Sequence, residues 1–433
     1  MTDVLPRGAL DGMKVLDLSR WIAGPFATML MADAGADVIK VEGLLGEDAR
    51  HTAPSLADSS AYVHHYNRNK RALALDLRDP RSQEILRSLA TDWADVIVEN
   101  FRPGILERLG LDYETLRLAN PALIMTSVSG YGESGPDSDR PCFNTIAEAF
   151  SGAMSLTGDA SAPPTMSGYF AADHGTGLYT AIGTLLAWVE RQRTGVGQRV
   201  ELALTDAMFS LLGFALTAKM NDLPFPDRSG NRDSATAPAD LFVTADDRPV
   251  YLDAGTDTLF RNLCEVMGTP ELADDPRFVS NEARIDNLDL LHDRIETWAA
   301  SVPFEVLRSG LDRAGIPFSA VNTVEEAITD PQLRARGMVA EVTTEDGQRI
   351  NVPGMVLNLS ATPGRIVSAA PPVGRHTVEI LHDLCGLTTD EIDELRRRRV
   401  IGTHEPGQAP SNPAHAQQPL HEDVRIKDEV KAP

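Results

Sequence analysis

The sequence predicts an α/β protein with an open, mostly parallel sheet, joined to a smaller α+β unit. Three observations carry that expectation. Short apolar runs alternate with helical patterns from Met13 onward, which is the signature of βαβ units. A stretch rich in Asp, Ser, Pro and Asn, from Pro224 to Pro238, interrupts the pattern and reads as a linker. Beyond it the order changes to a hairpin followed by several helices, as in a separate α+β unit.

Met13 to Leu18 reads as a buried strand and Ala23-Gly24-Pro25 as the turn after it. Phe26 to Ala34 is then a helix and Ala36 to Val41 a second strand. A second cycle places strands at Ala72 to Leu77 and Asp95 to Asn100 around a helix at Arg81 to Ala90. Leu123 to Val128 is a further strand. After a long helix come the turn Thr194 to Gln198, the alternating strand Arg199 to Leu204, and a helix capped by Asp206. In the smaller unit, Asp240 to Ala254 forms a hairpin turning at Asp246-Asp247-Arg248. Helices cover Leu259 to Met267, Leu288 to Ala299 and Phe304 to Ala314, with a strand at Ile316 to Val321 and a short helix at Glu325 to Thr329. Met338 to Val342 and Arg349 to Val352 pair as a second hairpin, and helices at Thr377 to Cys385 and Thr389 to Arg397 complete the folded part. Residues 403–433 are Pro- and charge-rich without apolar periodicity, the composition of a disordered tail. The expected organisation is therefore 1–223, 224–330, 331–402 and that tail.

At 433 residues the chain is long enough for more than one core. Its net charge of -23 argues against nucleic acid and anionic membrane surfaces as partners. Cys142, Cys264 and Cys385 are odd in number and widely spaced. They form neither a disulfide framework nor a zinc signature, as suits a reducing compartment. No metal site is expected. No apolar run flanked by basic residues opens the chain, and no stretch has the length of a membrane span, so the expected location is the cytoplasm.

Glu42 ends the second strand, where the ribose-binding acid of a dinucleotide enzyme stands. The first turn offers only Gly24 before Pro25 and lacks the three-glycine fingerprint, which excludes the usual nicotinamide cofactor. Arg68, Lys70, Arg71, Arg78, Arg102 and Arg108 collect at strand ends and the loops after them, where open α/β sheets bind ligands. Asn100-Phe101-Arg102-Pro103-Gly104 adds an amide and an aromatic face. With Arg108 it has the means to bind and stack a purine while meeting a phosphate.

One carboxylate stands out. Asp173 lies among small residues in Gly168 to Gly177, and Leu178, Ile182, Leu185, Leu186 and Val189 follow at helical spacing. Asp is a favoured N-cap, so the local pattern accounts for it as a cap. A helix start also favours a negative charge, and nearby glycines let backbone N–H groups approach an oxyanion. Asp173 is thus the candidate nucleophile as well. His174 beside it reads as an exposed first-turn residue.

Several segments, in order along the chain, carry a family resemblance. They include Lys14 to Phe26, Gly35 to Glu42, Asn69-Lys70-Arg71, Val98 to Phe101 and Ser129 to Gly132. Ser151-Gly152, Thr157-Gly158, Pro163-Pro164, Asp173 with Thr176-Gly177, Thr194 to Gln198, Glu271 to Phe278, Asp330 to Gln332 and Arg336 to Met338 continue it. From about Leu10 to Ile401 the chain resembles the family III CoA-transferases of the formyl-CoA and carnitine-CoA type, a superfamily shared with the 2-methylacyl-CoA racemases. The resemblance implies a Rossmann-like large domain, built from the N-terminal and a returning C-terminal part, with the small domain inserted and two chains interlocked as a homodimer. It implies CoA transfer from an acyl-CoA thioester to a small carboxylic acid through covalent catalysis at Asp173, with no permanently bound cofactor. It assigns CoA binding to Arg20, Leu75, Asn100, Phe101 and Arg108, with Ala23 placing backbone near the thioester.

The chain also departs from the pattern. Ile22 stands where formyl-CoA transferases carry glutamine, no tetraglycine lid lies between Pro224 and Asp257, and Asn144 replaces an acidic residue. A racemase needs a second acid/base facing the aspartate. The run Cys142-Phe143-Asn144 lacks the His that racemases carry there, which favours the transferase. A non-catalytic CoA-binding subunit is the alternative from another class, and Asp173 in its full setting speaks against it.

Overall fold

The structure is a computed structural model that describes residues 8–57 and 59–404. Six parallel strands dominate its principal sheet: β1 (Lys14–Asp17), β2 (Asp37–Glu42), β3 (Arg71–Leu75), β4 (Val96–Glu99), β5 (Ile124–Ser129) and β6 (Arg199–Ala203). In space they stand 3-2-1-4-5-6. The chain winds from β1 to one edge, returns to the middle at β4 and winds to the other edge. This is the doubly wound order of dinucleotide-binding folds. A short strand, Ile401–Gly402, closes the β3 edge antiparallel, with Ile401 opposite Leu75.

The helices on this sheet are α1 (Ala23–Asp33), α2 (Ala61–Tyr66), α3 (Pro80–Ser88) and α4 (Ile105–Leu109). Farther along the chain, α5 (Asn144–Ser151) falls in the second unit described below, and the 24-residue α6 (Ala171–Thr194) returns to this sheet. One core layer packs Leu16, Ile39, Leu73 and Ile97 against α3 and against Ile380, Leu381, Ile392 and Leu395 of the C-terminal helices. The other packs Val15, Val38, Val96 and Ile124 against Ala27 and Met31 of α1 and Ala181 and Ala187 of α6. Burial on both faces explains why β1, β3 and β4 read as near-continuous apolar runs.

Contacts group the described chain into two compact units. The first holds the residues up to Pro141, Asp173–Leu204, and those from Gly337 onward; the second holds Cys142–Ala172 and Thr205–Arg336. This grouping takes 142–172 and 205–223 with the second unit, whereas the sequence pattern places both with the first. The second unit has a three-stranded antiparallel sheet of β7 (Ala239–Val243), β8 (Pro249–Asp253) and β9 (Phe318–Ala320) in the order β9-β8-β7. Its core joins Phe242 and Leu252 to Phe260, Leu263, Ile295, Leu307 and Leu311 of three helices. The expected hairpin turn at Asp246-Asp247-Arg248 is present, with Asp247 at φ 58°. So is the later hairpin, β10 (Val339–Thr343) with β11 (Arg349–Pro353).

Three local readings change. Ala23-Gly24-Pro25 is not a turn but the first turn of α1; proline there loses no hydrogen bond, because a first-turn N–H has no partner within the helix. Asp206 lies inside the helix Leu204–Leu211 rather than at its cap. Helix α5, with Phe143 just before it and Ile146 and Phe150 on it largely exposed, was not anticipated. The tail proposed for 403–433 lies outside the described residues apart from Thr403 and His404. Among the described residues no helix is long and apolar enough to cross a membrane, and no group of three metal-ligating side chains occurs.

Candidate functional site

The spatial order reverses between β1 and β4, so the loops leaving these two strands diverge and open a crevice. Arg20 sits on the first loop, and Asn100 and Phe101 on the second. A cavity here is lined by Leu18, Arg20, Val41, Gly43, Leu77 and Phe101. Phe101 is half-buried against the main core. It also borders a second cavity, lined by Glu99, Arg102, Pro103, Tyr113, Ser127 and Arg199. Asp173 lines neither.

The residues expected to bind a ligand here separate into groups. Arg20 pairs with the exposed Asp48 at 2.5 Å, an ion pair that solvent screens. Arg108 is exposed on α4 and makes no ion pair among the described residues. Asn100 is committed elsewhere: its Nδ2 donates to the Arg20 carbonyl at 2.7 Å, and its Oδ1 accepts from the Arg20 N–H at 2.8 Å. Its amide therefore holds protein main chain. Leu75 is 0% exposed and sits inside the main core. Ala23 is buried in the first turn of α1.

Most of the basic cluster read from the sequence is structural. Arg68 is buried against Asp33 at 2.6 Å, and Lys70 against Asp17 at 2.9 Å. Arg71 binds Asp37 and Glu379, and Arg78 binds Asp76. Arg68, Lys70 and Arg71 each meet a carboxylate from another element, a pairing that strand-end position alone does not reveal, while Arg78 meets Asp76 within its own loop. Glu42 is likewise tied to buried Arg50 by two 2.6 Å hydrogen bonds. Of this cluster, only Arg102 and Arg108 are exposed without an ion pair among the described residues.

Asp173 is the third residue of α6, in its first turn rather than at its cap. Just before it, the Ala172 N–H donates to Asn144 Oδ1 at 2.9 Å. Asn144 Nδ2 in turn donates to the buried Glu148 at 2.6 Å, and the other Glu148 oxygen accepts from Ser167 N–H and Oγ, each at 2.8 Å. An amide suits position 144 because it accepts from a backbone donor and donates to a carboxylate at once. An acid there would face Glu148 with like charge.

After Asp173 the helix face is small. A Cβ at Gly177 would stand 2.8 Å from the Ala23 carbonyl oxygen and 2.8 Å from Phe26 Cδ1, so only glycine allows α6 this close to α1. His174 is half-buried rather than exposed. Its Nε2 meets Tyr66 Oη at 2.9 Å, and its ring stands edge-on to Phe26 at 5.0 Å. Tyr62 and Tyr66 complete an aromatic wall, 5.1 Å apart. Burial pushes both phenols well above their usual range. The charge of Asp173 adds to this directly at Tyr66 and, after Tyr66 itself, at Tyr62. Burial, with Arg68 and His174, pushes His65 down to about 4. The sequence reading missed this wall. The aromatic spacing of Tyr62 and Tyr66, one helical turn apart, was its available signal.

Glu99, at the end of β4, is nearly fully buried, and burial raises it to about 7 from the ordinary 4.5. Its Oε2 accepts from the Phe101 N–H at 2.8 Å. Between these two values the folded chain keeps a proton that the unfolded chain releases, so stability falls as pH rises through that window. The expected size is about 3 kcal/mol in all. Glu99→Gln should flatten that slope in denaturant titrations at pH 5 and pH 8; an unchanged slope would refute the assignment.

Comparison with known proteins agrees with this architecture. The family model CoA-transferase family III matches residues 10–377. The chain is 36% identical over 413 residues to succinyl-CoA–D-citramalate CoA-transferase of Chloroflexus aurantiacus, covering 93% of this chain and 100% of that protein. It is 38% identical over 340 residues to acetyl-CoA:oxalate CoA-transferase of Acetobacter aceti, covering 78% and 87% respectively. Among solved structures, a CAIB/BAIF family protein from Brucella suis superposes with a TM-score of 0.78 at 35% identity, covering 87% of this chain and all of that one. With the match running through both units and the doubly wound sheet, the chain belongs to CoA-transferase family III.

Proposed function

We propose that the protein is a CoA-transferase that moves CoA from an acyl-CoA thioester to a free carboxylic acid, with Asp173 as nucleophile. The observation that carries this reading is the setting of Asp173. Its carboxylate lies in the first turn of α6, where a helix favours negative charge. Glycines and an aromatic wall surround it within a family III chain.

The chemistry balances without an external acid, base or redox partner. An Asp173 oxygen attacks the thioester carbonyl carbon; the C–S bond breaks, giving an aspartyl–acyl anhydride and CoA thiolate. The thiolate attacks the aspartyl carbonyl carbon, the anhydride C–O bond breaks, and the donor acid leaves as its carboxylate. The acceptor carboxylate then displaces thiolate from the aspartyl thioester, forming a second anhydride. Thiolate finally attacks the acceptor acyl carbon, which yields the new thioester and restores the Asp173 carboxylate. Anhydride and thioester are both activated acyl groups, so no step is strongly uphill. First-turn backbone N–H groups are suited to each tetrahedral oxyanion. Arg20, Phe101 and Arg108 are the residues we assign to the nucleotide part of CoA, Phe101 by stacking and Arg108 by meeting phosphate.

The racemase alternative lacks support at Asn144, whose amide is already engaged at both ends and carries no titratable proton. The relatives named above act on short carboxylates by their names, so the substrates to try first are short mono- and dicarboxylates with succinyl- and acetyl-CoA as donors. Incubation with an acyl-CoA followed by hydroxylamine should leave a modification at Asp173. CoA binding without any modification there would refute the mechanism.

The interlocked homodimer, with a small domain inserted near 224–330, belongs to the same reading. Along α6, Leu178, Ile182, Leu186 and Val189 are 49%, 52%, 66% and 66% exposed. An apolar stripe on the outside of a helix whose inner face is already packed calls for a covering surface. Another relative, 35% identical over 405 residues, is named as the beta subunit of succinyl-CoA–L-malate CoA-transferase. Light scattering of the purified chain alone should give twice the chain mass; a monomer would point to an unlike partner subunit instead.

A further inference from the structure

Between β1 and α1 the chain passes through Ser19, Arg20 and Trp21. The main-chain groups from Ser19 N–H to Trp21 N–H are each met by a side chain. Asp17 Oδ1 accepts from Ser19 N–H at 2.9 Å, and Lys40 Nζ donates to the Ser19 carbonyl. Asn100 takes both the N–H and the carbonyl of Arg20, and Glu47 Oε2 accepts from Trp21 N–H at 3.1 Å. Glu47 is itself held, its other oxygen accepting from Asn67 Nδ2 at 2.9 Å. Ser19, Lys40 and Glu47 are all buried, so water does not substitute for these contacts. Trp21 is kept at φ 67°, a left-handed conformation that a large side chain adopts only when its surroundings impose it.

The two side chains on this strapped segment go to different places. Arg20 lines the crevice with Leu18, Val41 and Phe101. The Trp21 ring meets Tyr62 edge-on at 6.4 Å, and Tyr62 stands 5.1 Å from Tyr66, which hydrogen-bonds His174 beside Asp173. One short segment therefore joins the crevice to the aromatic wall next to the nucleophile.

We propose that Asn100 and Glu47 are positioning residues that clamp the Arg20–Trp21 main chain and so hold the crevice in register with Asp173. The functional half of this statement rests on the transferase reading above; the clamp itself does not. The test compares wild type, Asn100→Ala and Glu47→Gln by site-resolved amide hydrogen exchange and by steady-state kinetics. Asn100→Ala removes both the acceptor for Arg20 N–H and the donor to its carbonyl. Glu47→Gln replaces one of two engaged acceptors by a donor. Exchange at Arg20 and Trp21 should rise at least tenfold, while Ser19 N–H, held by Asp17, stays protected. In the same variants kcat should fall and KM for the acyl-CoA should rise, with kcat/KM down at least tenfold and the melting temperature little changed. Exchange within twofold of wild type in both variants overturns the clamp. Faster exchange with unaltered kinetics in an active enzyme overturns its positioning role. A wild-type protein that transfers no CoA sinks the transferase reading and the positioning role with it, while exchange still decides the clamp.

Discussion

Asp173→Ala is expected to lower CoA transfer by about a thousandfold or more, the usual cost of removing a covalent nucleophile. The fold should survive. Asp173 is only half-buried, and losing an acidic residue from the first turn of a helix costs about 0.3–1 kcal/mol. Asp173→Asn sharpens the test, since it keeps size and polarity but presents an amide in place of the attacking carboxylate. Both variants should still bind CoA, because Arg20, Phe101 and Arg108 are untouched. Neither should form a hydroxylamine-sensitive adduct. If either variant retained more than about a tenth of wild-type kcat, nucleophilic attack by Asp173 would be ruled out.

Asp17→Ala should be the most damaging single change away from Asp173, costing about 3–5 kcal/mol of stability. Asp17 is fully buried beneath the strapped segment. It accepts from Ser19 and Thr28 and lies 2.9 Å from Lys70 and 3.9 Å from Lys40. Burial by itself would raise its pKa, but the Lys40 and Lys70 ammonium groups and the hydrogen bonds outweigh it and hold the carboxyl well below the carboxylate range. A depressed acid contributes stability above its unfolded value, and that stability is lost as pH falls through the folded one. Wild type should therefore lose stability below about pH 4, whereas the variant starts lower and loses less on acidification. Replacing Lys70 by Met in the same chain should restore part of the loss, since it removes a buried ammonium left without its partner. Denaturant unfolding of the single and double variants measures both effects. A loss under about 1 kcal/mol for Asp17→Ala would mean that the buried charges are solvated in a way the geometry does not show.

Much of the doubly wound unit was legible in order along the chain. Within Met13 to Leu18 and Asp95 to Asn100, Val15-Leu16 and Val96 to Val98 are apolar without alternation because their strands are covered on both faces. The hairpins around Asp247 and Gly347 were legible because turn chemistry is local. Helix α5 was not, since three of its neighbouring or constituent aromatic and aliphatic side chains face outward and its pattern lacks an obvious inner stripe. At the candidate site, Asp173 and Phe101 were found as chemistry-bearing types in permissive settings. Leu75 and Asn100 were named alongside them; that the first lies in the core and the second holds main chain is visible only in the fold.

The sequence by itself determined the alternation of strands and helices, the carboxylate at 173 and the family to which the chain belongs. Those properties reside in local periodicity and in residue type. Only the tertiary structure decided which charges are spent. Asp33, Asp37 and Asp17 approach Arg68, Arg71 and Lys70 across 34 to 53 positions of chain, and the two Asn100 hydrogen bonds to Arg20 close a span of 80. A side chain's availability to a ligand depends on partners that folding brings within about 3 Å, and separation along the chain does not encode that distance.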